Sequence, residues 1–223
     1  MNSEAQADTS RFLHRPAKPG ADGFVLTHGA GGNANSPLLV ALANALSGMG
    51  FTAVRYNLPF RQQRPFGPPR PADAARDREG LKNEVEAMRK EISGRVFLGG
   101  HSYGGRQASM LCAEQNELVD GLLLLSYPLH PPGKPEQPRT KHLPDLKTPT
   151  LFVHGTHDPF GSIAEMESAL KLIPVKTKLL VIEKAGHDLG FKGKSKREEL
   201  PASILAAFTE LIRENPRKSA ANL

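Results

Sequence analysis

The chain contains one cysteine, Cys112, in 223 residues, and no tryptophan. A single thiol excludes any disulfide within the chain, so packing alone must hold the fold. That usage suits a reducing compartment, and a cytoplasmic location is expected. No apolar run approaches the ~20 residues that a membrane-crossing helix needs, so no membrane partner is expected. Residues 1–20 mix acids, bases and polar groups without an apolar centre, unlike a secretory leader. Aromatic residues are few, ten Phe and three Tyr, and they are not interleaved with basic ones. The formal charge of +6 therefore reads as scattered surface charge, and no nucleic-acid partner is expected.

What is present is an alternation of short apolar runs with longer segments of helical period, the pattern of a parallel sheet covered by helices on both faces. About six strands are predicted: 24–27, 51–56, 95–99, 121–126, 150–155 and 178–183. Most are apolar on both sides, as buried parallel strands should be. Ser36-Pro37 opens a helix carrying Leu38, Leu39, Leu42 and Leu46. Asp73 is placed as the cap of the next, whose stripe is Leu81, Val85, Met88 and Ile92, with Gly94 at its end. A helix starts at Ser102, Ser162 caps another, and the last spans about 200–213. One domain over 21–214 is expected between flexible tails at 1–20 and 215–223. Residues 57–72 and 127–148 interrupt the rhythm: both follow strands and both are rich in Pro and basic residues. Neither is long or apolar enough to form a cap domain, so loops around a lidless core are expected.

Gly100-His101-Ser102-Tyr103-Gly104 fits G-x-S-x-G. In that pattern an abrupt strand-to-helix turn lifts a serine hydroxyl above the sheet, and the small flanking residues let the backbone cross closely. The pattern gains weight from its context, directly after the apolar run 95–99 and at the head of a helix. A serine hydroxyl needs a base, and the base needs an orienting carboxylate. Asp158 follows run 150–155 and His187 follows run 178–183, both at the carboxyl edge of the sheet. The order Ser102, Asp158, His187 suits a triad. Asp188, beside the histidine, and Asp145, ahead of its strand, are poorer candidates for the acid. His154 and His157, beside Asp158, resemble a His-x-x-His-Asp metal pattern, but nothing else in the sequence completes a ligand set, and no metal or other cofactor is expected. The turn His28-Gly29-Ala30-Gly31-Gly32-Asn33 offers a backbone N–H for an oxyanion, Ala30 first and Gly31 second, with the N–H of Tyr103 as the other donor. With strand order second, first, third, fourth, fifth, sixth, that turn and Ser102 would flank the switch-point crevice.

These residues carry a family resemblance. Over 24–211 the chain resembles the α/β-hydrolase superfamily. More closely, it is similar to small dienelactone-hydrolase-like proteins related to the testis-expressed and NSL-complex hydrolase-like family. The matching stretches are HGAGGN (28–33), YNLPF (56–60), GGHSYGGR (99–106), YPLHPPGKP (127–135) and LFVHGTHDPFG (151–161). The resemblance implies an acyl-enzyme mechanism on a small-molecule acyl substrate. Dienelactone hydrolases proper use a cysteine nucleophile; this chain has Ser102 there, so that activity is not carried over. The expected chemistry is serine-dependent hydrolysis of a small ester or thioester. Gly31, Arg61 and Arg64, with Arg70, are candidate substrate contacts that would favour an anion. A non-catalytic interaction protein on the same scaffold, or a small peptidase, are the alternatives. The complete Ser-Asp-His set argues against the first, and the lack of a substrate-sorting domain against the second.

Overall fold

The computed structural model describes residues 10–191 and 197–215. Within them one sheet of seven strands is formed: β1 (Arg11–His14), β2 (Gly23–Thr27), β3 (Thr52–Tyr56), β4 (Val96–His101), β5 (Gly121–Leu125), β6 (Thr150–Gly155) and β7 (Thr177–Ile182). The helices are α1 (Pro37–Gly48), α2 (Pro59–Gln63), α3 (Asp73–Glu91), α4 (Tyr103–Glu114), α5 (Ile163–Leu170) and α6 (Leu200–Glu214). The sheet order is β1-β3-β2-β4-β5-β6-β7, parallel throughout except for β1. The expected order of the six parallel strands is therefore the observed one.

Two faces of the sheet bury separate cores. Leu38, Leu39, Leu42 and Leu46 of α1 and Ile204, Leu205, Phe208 and Leu211 of α6 cover one face. Phe24, Phe97 and Phe208 meet there with ring centroids 5.3–5.8 Å apart. The other face takes Leu81, Val85 and Met88 of α3, Leu111 and Cys112 of α4, and Met166 of α5. Cys112 is a fully buried packing residue. Among the described residues no helix is long and apolar enough to cross a membrane.

Three differences from the sequence reading matter. Residues 11–14 lie in the segment expected to be a tail, yet they pair antiparallel with β3, with Arg11 opposite Tyr56. Side chains hold that edge: Arg11 Nε donates to Glu84 at 2.7 Å, and Arg55 of β3 lies over the Phe12 ring. Of the expected tails, residues 1–9 and 216–223 lie outside the described residues. Secondly, α2 is a short helix inside the expected loop 57–72, with Pro59 at its start, where a missing N–H costs nothing. Thirdly, Asp73 is the first residue of α3 and not its cap, and α3 ends at Glu91, three residues before Gly94. Ser36 stands at the N-cap of α1 without a side-chain capping bond, whereas Ser162 forms a full capping box with Glu165.

The register sets the carboxyl edge. Thr27 pairs with both Tyr56 and Gly100, so β2 and β3 end level and β4 runs one residue further, to His101. His28, Asn57 and Ser102 therefore emerge side by side, at the point where the strand order reverses.

Candidate active site

Ser102 sits between β4 and α4 with φ 51° and ψ −117°, a left-handed conformation that a non-glycine residue adopts only at a cost. The elbow is packed too closely for larger neighbours. A Cβ at Gly100 would fall 2.5 Å from the Gly105 nitrogen, and one at Gly104 would fall 2.4 Å from the His28 carbonyl oxygen. The Ser102 N–H donates to the Leu125 carbonyl at 2.8 Å, which ties the turn to the end of β5.

The three expected side chains meet. His187 Nδ1 lies 2.8 Å from Asp158 Oδ2 and 3.0 Å from Oδ1, and its Nε2 lies 2.7 Å from Ser102 Oγ. Because a carboxylate only accepts, Nδ1 carries the proton and Nε2 is left to accept from the serine hydroxyl. Asp158 is 6% exposed and also accepts the Phe160 N–H at 2.9 Å. The two loops that carry this pair are tied together. His157 N–H donates to the Ala185 carbonyl at 2.8 Å, and Lys184 N–H to Thr156 Oγ1 at 2.9 Å. Asp188 Oδ1 is occupied by the Gly190 N–H at 3.0 Å. His154 is buried and donates Nε2–H to the Gly161 carbonyl, while His157 is exposed, so the His-x-x-His pair diverges.

The turn 28–33 lies against the elbow. A Cβ on Gly29 would be 3.3 Å from Ser102 Cβ and 2.9 Å from His101 Nδ1. Neither the Ala30 nor the Tyr103 N–H has a hydrogen-bond acceptor among the described residues. Gly31 is exposed, and a Cβ there would meet nothing within 4 Å.

Arg61 is not the open substrate contact that its loop suggested. It is 7% exposed. Nε donates to the Gly32 carbonyl at 2.8 Å and Nη2 to the Ala30 and Gly67 carbonyls at 2.8 and 3.0 Å, while Nη1 donates to the Arg64 carbonyl at 3.1 Å. Four of its five N–H donors are thus committed to backbone. Its guanidinium also lies 4.9 Å from the centre of the Phe60 ring. Arg64 in turn pairs with Asp73, which also accepts the Arg70 N–H. The first basic loop therefore clamps the turn through Arg61 and binds itself through Arg64.

Three further groups were not singled out from the sequence. His28 is fully buried, donates Nδ1–H to the Gly29 carbonyl at 2.8 Å and accepts the Leu58 N–H on Nε2 at 3.1 Å. Burial pushes its imidazole down to about 4, so it stays neutral. His101 donates Nε2–H to the His187 carbonyl at 2.8 Å, joining the elbow to the backbone of the histidine loop. Asp77 accepts from the Tyr103 hydroxyl at 2.7 Å and from the Phe60 N–H at 2.9 Å. Burial raises the Asp77 carboxyl above its usual range. A signal for Asp77 was present: it stands four residues before Leu81, in line with the apolar stripe of α3, where a lone acid needs a partner. The Phe160 ring stacks on His187 at 4.2 Å.

A family model described as an alpha/beta hydrolase domain matches residues 21–213. The fold is similar to that of an α/β serine hydrolase homologue from Coxiella burnetii, at 18% identity and TM-score 0.66, covering 96% of this chain and 98% of that one. It is also similar to Est1E from Butyrivibrio proteoclasticus, at 16% identity and TM-score 0.70, covering 91% and 94%. A dienelactone hydrolase from Anabaena variabilis matches at 24% identity and TM-score 0.67, covering 93% and 92%. At such identities these likenesses speak for the fold.

Proposed function

The chain belongs to the α/β-hydrolase family, and on that premise we propose that it is a serine hydrolase cleaving a small ester or thioester through an acyl-enzyme. The observation that carries the reading is the unbroken line from Asp158 through His187 to Ser102 Oγ, at 2.8 and 2.7 Å. Ser102 attacks the substrate carbonyl carbon and its proton passes to His187 Nε2. Asp158 holds the ring in the required tautomer and stabilises the cation. Charge develops on the former carbonyl oxygen, where the N–H groups of Ala30 and Tyr103 act as donors. Collapse of the tetrahedral intermediate expels the alcohol or thiol, which takes the proton from His187. Water then attacks the acyl-enzyme with His187 as base, returning Ser102 and releasing the acid.

The surroundings of the line suit this chemistry. His101 anchors the His187 backbone and the stacked Phe160 holds its imidazole, which keeps the base in attack geometry. Hydrolysis of 4-nitrophenyl acetate and butyrate tests the reading. Ser102→Ala and His187→Ala are expected to lower kcat by about 10⁴–10⁶-fold, and Asp158→Asn by about 10⁴-fold through the wrong tautomer. Ester turnover that survives Ser102→Ala in the folded protein would overturn it.

A further inference from the structure

The second basic loop, 127–148, encloses a group of cations that the chemistry above does not use. Arg106 stands one turn into α4, its N–H bonded to the Ser102 carbonyl at 2.9 Å. Its side chain is half-buried, and its Nε is fully enclosed without an acceptor. Tyr127, Arg139 and His142 of the loop lie near enough to feel its charge. The Tyr127 hydroxyl donates to the Arg139 carbonyl at 2.6 Å. Ser109 Oγ donates its one proton to the Arg106 carbonyl at 2.9 Å, so the 2.8 Å contact with His142 Nε2 requires that nitrogen to carry a hydrogen.

The charges in this group are of one sign. Among the described residues no carboxylate lies within 4 Å of the Arg106 or Arg139 guanidinium. Arg78 pairs with Glu114 at 3.4 Å and gives a second N–H to Gln107 Oε1, whose own Nε2 is buried without an acceptor. Burial, with the cation of Arg106 beside it, pushes His142 down to about 4, and the same two causes lower Arg139. Asp145 is the one acid acting on His142, and it opposes that shift. A fold does not gain from half-burying two adjacent guanidinium groups with no counter-charge and two orphaned donors. Such an arrangement is completed by an anion with several acceptor oxygens.

The group is tied to the nucleophile at two points. Arg106 follows Ser102 by one turn, about 5.4 Å along the axis, and long helical side chains lean back toward the helix N-terminus. Tyr127 follows by two residues the Leu125 carbonyl that holds the Ser102 N–H. We propose that Arg106 and Arg139 form an anion subsite, taking a carboxylate or phosphate group borne by the substrate whose ester is cleaved at Ser102. The subsite rests on the hydrolase reading for the ester and, for the anion, on two guanidinium groups that no carboxylate among the described residues neutralises, Arg139 Nη1 reaching the Pro128 carbonyl at 3.4 Å and Arg106 the Tyr127 hydroxyl.

Two measurements on the full chain separate the two claims. The first compares kcat/KM for 4-nitrophenyl hydrogen succinate with that for the neutral butyrate of equal chain length. The intact protein is expected to prefer the anionic ester by roughly 10–100-fold, the worth of a charge-assisted pair. Arg106→Met and, independently, Arg139→Met on the loop are expected to bring the ratio close to one, with folding checked by circular dichroism. A ratio near one in the intact protein, or a ratio unmoved in both variants, overturns the subsite. The second titrates inorganic phosphate and succinate by calorimetry, which needs no turnover. If neither ester is cleaved, the hydrolase reading fails. Anion binding that Arg106→Met abolishes then still supports the subsite, and absence of binding to the intact protein overturns it.

Discussion

The loops 57–72 and 127–148 are alike in sequence and opposite in how they use their charge. Each leaves the carboxyl end of a strand, each is rich in proline, and each brings basic side chains to the same edge of the sheet, three arginines in the first and Arg139 with three lysines in the second. In the first, Arg61 is used up on the carbonyls of Ala30, Gly32, Arg64 and Gly67, and Arg64 is matched by Asp73. In the second, Arg139 has one long bond, from Nη1 to the Pro128 carbonyl at 3.4 Å, and among the described residues no carboxylate answers it or Arg106. Composition alone cannot separate a structural arginine from one awaiting a ligand. Counting the acceptors around each guanidinium can.

The largest expected effect that would break this contrast concerns Arg61. Arg61→Met leaves part-buried carbonyls unpaired and loosens the turn bearing Ala30, so a loss of about 1–2 kcal/mol in stability is expected. The fall in kcat is expected to be about 10²-fold, and equal for neutral and anionic esters. Arg61→Lys should rescue little, because one ammonium cannot span four carbonyls held by a planar fork. Urea unfolding and ester kinetics check both points. An effect confined to anionic esters would put the ligand in the first loop and reverse the contrast.

A second test uses acid. Each region holds a histidine lowered to about 4, His28 at the first loop and His142 in the second. The unfolded chain protonates these groups near pH 6.5 and the folded chain only near 4. Between those values the unfolded state binds more protons, so stability is full above about pH 6.5 and is lost as pH falls toward 4. Each histidine is expected to add about 1 kcal/mol per pH unit to the slope. His142→Asn should flatten the slope by that share. His28→Asn should flatten it equally and also lower stability at pH 8, because His28 is bonded at both ring nitrogens. Denaturation midpoints at pH 8, 6 and 5 read this out, and an unaltered slope in both variants would contradict it.

The smallest effect belongs to Arg64. Its partner Asp73 also accepts the Arg70 N–H and a second pair from Arg76, so Arg64→Met is expected to cost less than about 1 kcal/mol. The preference for anionic over neutral esters should not change. A lost preference would place the anion site at this loop.

The two loops also mark where the sequence is legible. Strand order and the convergence of Ser102, Asp158 and His187 follow from apolar runs and from each residue's place after a strand. Those signals are strong because buried parallel strands tolerate few polar residues. Strand β1 escaped notice because an edge strand needs a partner on one side only, and its burial is correspondingly mixed. α2 was hidden inside a proline-rich stretch, although Pro59 at a first helical position is itself a start signal. His101 and Arg61 act through backbone carbonyls, which carry no residue-type signature, so nothing in the pattern of letters points to their partners.

Labelling by a fluorophosphonate probe, followed by peptide mapping, tests the central claim most directly. The expected result is a single adduct on Ser102, absent in Ser102→Ala and slowed in His187→Ala. Folded protein that takes up no label, or takes it on another residue, would contradict the assignment of Ser102 as an activated nucleophile.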